Sequence, residues 1–191
     1  REAMGANTIN TMLEALKTEF EVAGIGVEMA ILSNLADQAL TTVTCTIPAT
    51  VIDPAVAQKI ADASEFAQVD PYRAATHNKG IMNGIDAVVM ATGNDWRAIE
   101  SGAHAFAARD GQYRGLSTWQ VVDHQLQGRL VVPLPVATVG GSIGINEQAQ
   151  LNLELLQVDS ANQLAEVIGA VGLAQNLAAL KAIVTEGIQH G

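Results

Sequence analysis

The chain of 191 residues has one cysteine, Cys45, so it closes no internal disulfide, and without a CxxC partner that thiol does not mark a structural zinc site. A reducing, cytoplasmic setting is expected. Cys45 lies in a β-branched run, where it reads as a small core residue and not as a nucleophile. Histidines are few, at 77, 104, 124 and 190, and none has HExxH or related spacing, so no metal site is expected. No uninterrupted apolar run reaches the roughly 18 residues that cross a bilayer, and no membrane partner is expected. Cations are scarce: ten Lys+Arg against twenty Asp+Glu leave a net charge of -10, which opposes phosphate-backbone binding and argues against nucleic acid. With 49% hydrophobic residues, the chain is long enough to bury a core. It begins Arg1-Glu2-Ala3-Met4 without an initiator Met and closes just after a helical pattern, as expected of part of a longer polypeptide.

Ile9, Met12, Leu13, Leu16 and Phe20 recur at helical spacing, which predicts a helix over residues 8–22. Residues 27–32 and 41–47 read as short strands. Asp53-Pro54 gives an N-cap followed by Pro in the first turn, opening a helix to about residue 68. Helices are expected over about 82–92 and 96–109, and a hairpin from strands 118–122 and 129–136, joined by a polar connection ending at Gly128. Pro133 and Pro135 mark the second strand as an edge or bulged one. A helix follows over about 147–156. Ser160 through Gln163 form a capping-box pattern that opens the last helix, in which the apolar stripe shifts, so a kink or break is expected at residues 169–172. These elements make an α+β fold, with a weakly marked boundary at residues 33–37.

Four glycine-containing segments are candidate anion-binding sites. Residues 73–84, with Arg73, His77, Asn78, Lys79 and Gly80, stand just before the helix expected at 82, where free N–H groups and the helix dipole favour an anion. The ordinary alternative is that Asn78 caps that helix and the cations are solvated. Gly93-Asn94-Asp95 has a simple account too, with Asp95 as an N-cap. Gly140-Gly141 and the Met4-Gly5-Ala6-Asn7 segment could each admit a phosphate or nicotinamide, or be plain turn and capping segments. Gly24-Ile25-Gly26 lacks the third glycine and the strand–helix context of a dinucleotide fingerprint. Composition and spacing name no reaction.

Whole motifs do more. Glu2 to Thr11, Ser33 to Asp37, Asp70-Pro71-Tyr72-Arg73, His77 to Asp86, Ala91 to Arg97 and Val171 to Asn176 resemble, in order along the whole chain, class II 3-hydroxy-3-methylglutaryl-CoA (HMG-CoA) reductases. The resemblance implies a large, mostly helical CoA-binding domain into which a small α/β nucleotide-binding domain is inserted. It assigns residues 1–35 to the end of the small domain and residues 36–191 to part of the large one. The implied reaction is the four-electron reduction of HMG-CoA to mevalonate and CoA, or its reverse, with NAD(H) or NADP(H), in a homodimer whose active sites form between subunits. The alternative is a catalytically incomplete piece that acts only as a folded, dimeric CoA-binding module.

By the same resemblance Lys79 matches the catalytic lysine and Asp95 the catalytic aspartate that would hold it. Arg73 matches the arginine on the HMG carboxylate, and Asn83, Asn34 and Gln175 match polar contacts around substrate and lysine. Glu2, Met4, Gly5, Ala6 and Asn7 match a cofactor-binding segment, and Gly140 and Gly141 a diglycine near the nicotinamide. The family's catalytic glutamate would precede Arg1 and its catalytic histidine would follow Gly191. His190 is not assigned that role.

Overall fold

The computed structural model describes residues 2–187. Helix α1, Ala6–Val22, is followed by strand β1, Leu40–Pro48, then by α2, Pro54–Val69, α3, Pro71–Ala91, and α4, Trp96–Ala107. Strands β2, Ser117–Val122, and β3, Gln125–Pro133, come next. A short 3-10 turn, Ile143–Ile145, leads to α5, Glu147–Leu156, and α6, Ala161–Val184. The sheet is antiparallel in the order β1-β3-β2, and α2 and α6 lie against it. Ile60, Ile81, Ile85, Ile99, Leu126, Leu130, Leu164, Ile168 and Leu180 are fully buried between the layers.

Several expectations are corrected. Residues 27–32 form no strand, because no neighbouring strand among the described residues accepts their backbone groups. Helix α3 begins eleven residues before the expected 82, because Asp70-Pro71 repeats the Asp53-Pro54 signature: Asp70 accepts from the backbone N–H of Tyr72 at 2.8 Å. Asn78 is therefore mid-helix and caps nothing. The hairpin turn is Asp123-His124, both in the left-handed region at φ 49° and 61°, so the residues up to Gly128 already belong to β3. β3 is the central strand, and its Pro133 is tolerated because it is the last residue, opposite Leu40.

Helix α6 runs unbroken through residues 169–172. Its glycines permit close packing: a Cβ on Gly169 would meet Val43 at 2.8 Å, and one on Gly172 would meet Ile85 at 2.8 Å. Ala161–Val184 is also long and apolar enough to cross a membrane by itself, contrary to the run-length expectation. Its buried Leu164, Ile168, Leu173 and Leu180 instead serve the core shared with α3 and the sheet.

Gly128 faces Trp119 directly across the β2–β3 ladder, and the indole lies over the space a side chain would need. Gly128→Val should therefore lower unfolding stability by about 1–3 kcal/mol through overpacking, read as a lowered urea midpoint. An unchanged midpoint would show that the indole can move aside.

Candidate active site

A cavity of about 640 Å³ is enclosed by three segments distant in sequence: residues 3–8, residues 93–97, and residues 137–143 without Thr138. Met4, Gly5, Ala6, Asn7, Asp95, Gly140 and Gly141 all line it. Each segment has local chemistry that places it there. Gly5, at φ 81°, is the N-cap of α1 and supplies no side chain to the first-turn N–H groups. Those donors remain for a ligand. Asp95 caps α4, its carboxylate accepting from the Ala98 N–H at 3.1 Å, and Arg97 places a cation on the same wall.

Asn94 ties two walls together. Its amide donates to the Ala137 carbonyl at 3.0 Å and its Oδ1 accepts from the Ala137 N–H at 2.7 Å. Ser142 Oγ donates to the Gly93 carbonyl at 3.0 Å, so the diglycine loop is fastened to the α3–α4 turn. Gly140 and Gly141 take φ 85° and 54°, a backbone path that a branched residue resists. Sequence reasoning noted the Gly93-Asn94-Asp95 run but missed the clamp role of Asn94, because its partner lies 43 residues away.

Glu2 is not among the cavity-lining residues, and its Oε2 accepts from the Ala161 N–H at 2.7 Å and the Thr138 hydroxyl at 3.1 Å. A carboxylate at the first residue of α6 meets the positive end of that helix and anchors the Met4-to-Asn7 segment behind the cavity.

Apart from Asp95, the residues matched to substrate and chemistry lie elsewhere. Lys79 and Asn83 are four apart on the exposed stripe of α3. Because Lys79 is inside the helix, the free N–H groups expected beside it are not there. Gln175 stands on α6 beside them, its Cβ 3.0 Å from where a Cβ on Gly84 would be. Arg73 is half-buried in the first turn of α3, and burial lowers its pKa. Asn34 sits apart, its carbonyl against Gly102 of α4.

Within one chain Lys79 and Asp95 do not form the expected network. Twelve residues of α3 separate Lys79 from Ala91, about 18 Å along the axis, and Asp95 lies beyond that end. Among the described residues Lys17 pairs with Glu21, and no Lys or Arg pairs with Asp95.

Behind the stripe, a buried polar network fixes α3. Asn78 donates to the Arg114 carbonyl and accepts from the Leu116 N–H, both at 2.8 Å. His77 Nε2 lies 2.7 Å from Ser117 Oγ. Burial, then the Arg73 charge, hold His77 down to about 4, so it is neutral at physiological pH and is a structural histidine.

The family model for hydroxymethylglutaryl-coenzyme A reductase matches residues 1–191. The chain is 47% identical to the 3-hydroxy-3-methylglutaryl-coenzyme A reductase of Archaeoglobus fulgidus, aligning over 100% of the chain and 44% of that protein. A probable reductase of Borreliella burgdorferi is 37% identical, with 100% and 46% covered. The chain thus spans about half the length of the curated relatives it matches. A solved Streptococcus pneumoniae reductase superposes with a TM-score of 0.94 at 55% identity, covering 100% of this chain and 48% of that one. A class II reductase from the same organism, bound to NADPH in open conformations, gives 0.94 at 56% identity, with 100% and 48% covered. Matched in sequence along its whole length and in fold to solved members, this chain belongs to the hydroxymethylglutaryl-CoA reductase family.

Proposed function

We propose that the chain contributes the core of a class II HMG-CoA reductase, which converts HMG-CoA to mevalonate and CoA with a reduced nicotinamide dinucleotide, or runs the reverse oxidation. The convergence of the Met4-to-Asn7, Gly93-to-Arg97 and diglycine segments on one cavity carries this reading. The cavity's donor set fits a dinucleotide: uncapped N–H groups of α1 and the Arg97 guanidinium suit its phosphates, and the diglycine backbone leaves room for a flat ring. The bound nicotinamide supplies hydride. This chain's part is to orient that ring with residues 140 and 141, hold the HMG carboxylate with the two-pronged Arg73, and place Lys79 at the thioester oxygen as it gains charge.

Lys79 and Asp95 come together, on this reading, between two copies of the chain, since one copy keeps them apart. Residues 1–35 are the end of the nucleotide-binding domain and residues 36–191 part of the CoA-binding domain. In support, α1 buries none of its residues, and its Asn10 accepts from the Leu32 N–H at 2.9 Å, so the first 35 residues hold to one another. The protein works in the cytoplasm as a homodimer. A second reading, a folded dimeric CoA-binding module without turnover, draws on the chain's 44–48% share of its relatives' length.

The test is NADPH or NADH oxidation dependent on HMG-CoA, by a family-length protein carrying this chain. No turnover with either nucleotide would overturn the reductase reading. Gly141→Val should raise the Kd for the preferred nucleotide about tenfold, through backbone strain of about 1–3 kcal/mol at a left-handed position. Fluorescence titration reads it, and an unchanged Kd would remove the diglycine from the cofactor site.

A further inference from the structure

The walls of the cavity meet on one short stretch of chain. Past Pro133 the chain leaves the sheet, and residues 136–138 have no strand beside them among the described residues, so their backbone groups need other partners. Ala137 is buried and gives both of its groups to one side chain: Asn94 Oδ1 accepts its N–H at 2.7 Å, and Asn94 Nδ2 donates to its carbonyl at 3.0 Å. The next N–H, of Thr138, donates to the Glu2 carbonyl at 2.9 Å. Residues 137 and 138 therefore hold both the α3–α4 turn and the segment that leads into α1.

The carboxamide of Asn94 has one orientation that satisfies its neighbours. Thr92 is fully buried and its hydroxyl donates to the Val88 carbonyl at 2.9 Å, so the hydroxyl oxygen accepts from Asn94 Nδ2 at 3.1 Å. The site needs a donor toward Thr92 and the Ala137 carbonyl and an acceptor toward the Ala137 N–H, which an amide supplies and a carboxylate does not. Asp95 is the residue after Asn94, and Gly140 follows Ala137 by three. A second fastening, from the Ser142 hydroxyl to the Gly93 carbonyl at 3.0 Å, holds the far end of the diglycine loop. Both ends of that loop are thus tied to the turn that carries Asp95.

We infer that Asn94 is a positioning residue for hydride transfer: by pairing with Ala137 it fixes Asp95 relative to the diglycine at residues 140 and 141. The inference rests on the roles proposed above for Asp95 and the diglycine. A nicotinamide against the diglycine and a thioester facing Asp95 react when the reacting atoms stand about 3–3.5 Å apart, and a shift of about 1 Å costs about a hundredfold in rate. The side-chain hydrogen bonds of Asn94 go to Thr92 and Ala137, so it acts through the backbone it holds and not on the reactants. Its loss slows the chemical step more than it weakens binding.

The experiment uses the family-length protein with Asn94→Ala and with Asn94→Asp, which keeps the size and the acceptor but, ionised, has no donor. In single turnover at saturating nucleotide and HMG-CoA, the rate constant of nucleotide oxidation should fall about ten- to a hundredfold in both, with the amplitude per active site kept. The KM for HMG-CoA and the Kd for the nucleotide should stay within about threefold of wild type, because few ground-state contacts are removed. A wild-type rate constant in either folded variant overturns the inference. So does a lowered amplitude at the wild-type rate constant, which is what a partly unfolded population gives, and so does a rise in nucleotide Kd that accounts for the whole loss. Urea midpoints report folding, and Asn94→Asp, which keeps the bond to the Ala137 N–H, carries the test if Asn94→Ala does not fold. A wild type inactive with either nucleotide sinks the reductase reading, whereas an active wild type with an unslowed variant sinks the role of Asn94 alone.

Discussion

In a family-length protein carrying this chain, the role proposed for Lys79 implies that Lys79→Ala should reduce kcat for HMG-CoA reduction about a hundred- to a thousandfold while leaving the urea midpoint within about 0.5 kcal/mol of wild type. The two halves of this expectation have separate physical grounds. Lys79 is exposed on α3, and its side chain takes no part in the core, so the fold does not need it. A thioester carbonyl becomes anionic as hydride arrives, and an ammonium about 4 Å away contributes about 4 kcal/mol at an effective dielectric near 20. That attraction exists mainly in the transition state, so kcat falls and KM for the nucleotide moves little. Single-turnover measurement of nucleotide oxidation separates the chemical step from product release. Near-normal turnover in the variant would remove Lys79 from the chemistry.

The same residue shows how far the sequence could be read. The match of His77 to Asp86 to a family motif singled out Lys79, yet composition alone set it before a helix, because Gly80 and Gly84 looked like punctuation. In the structure Gly84 is where α3 comes close to α6, and a Cβ there would stand 3.1 Å from the Val171 carbonyl. Local signals, the Asp53-Pro54 start and the Ser160 cap, are written within a few residues and are legible, and Asp70-Pro71 carries the same signature. Long-range facts were not. The Asn94–Ala137 clamp and the Glu2 anchor on Ala161 join residues whose types carry no hint of their partners. The strand expected at residues 27–32 failed for a related reason: a strand needs a neighbour, and periodicity does not say whether one is present.

Asn176→Leu should cost about 3–5 kcal/mol of stability, a large part of the total for a domain of this size. Asn176 is 1% exposed in α6, and its Oδ1 accepts from both the Ser117 hydroxyl at 2.8 Å and the Trp119 Nε1–H at 2.7 Å. His77 Nε2 lies 2.7 Å from Ser117 Oγ and 3.3 Å from Asn176 Nδ2, so the chain of contacts joins α6, β2 and α3. Leu fills a similar volume, so the loss is not one of packing. It leaves two buried donors without acceptors, each worth about 1–3 kcal/mol. Denaturation at pH 7.5 is the right measurement. Below about pH 6.5 the unfolded chain protonates His77 while the native state, with its pKa near 4, does not, and that acid limb would mask the difference. A midpoint change below about 1 kcal/mol would mean that water or a rotated indole satisfies the stranded donors. The expected larger loss would reach the site as well, because Gln175 is the next residue on α6 and Gly84 packs against it at the edge of the Lys79–Asn83 stripe.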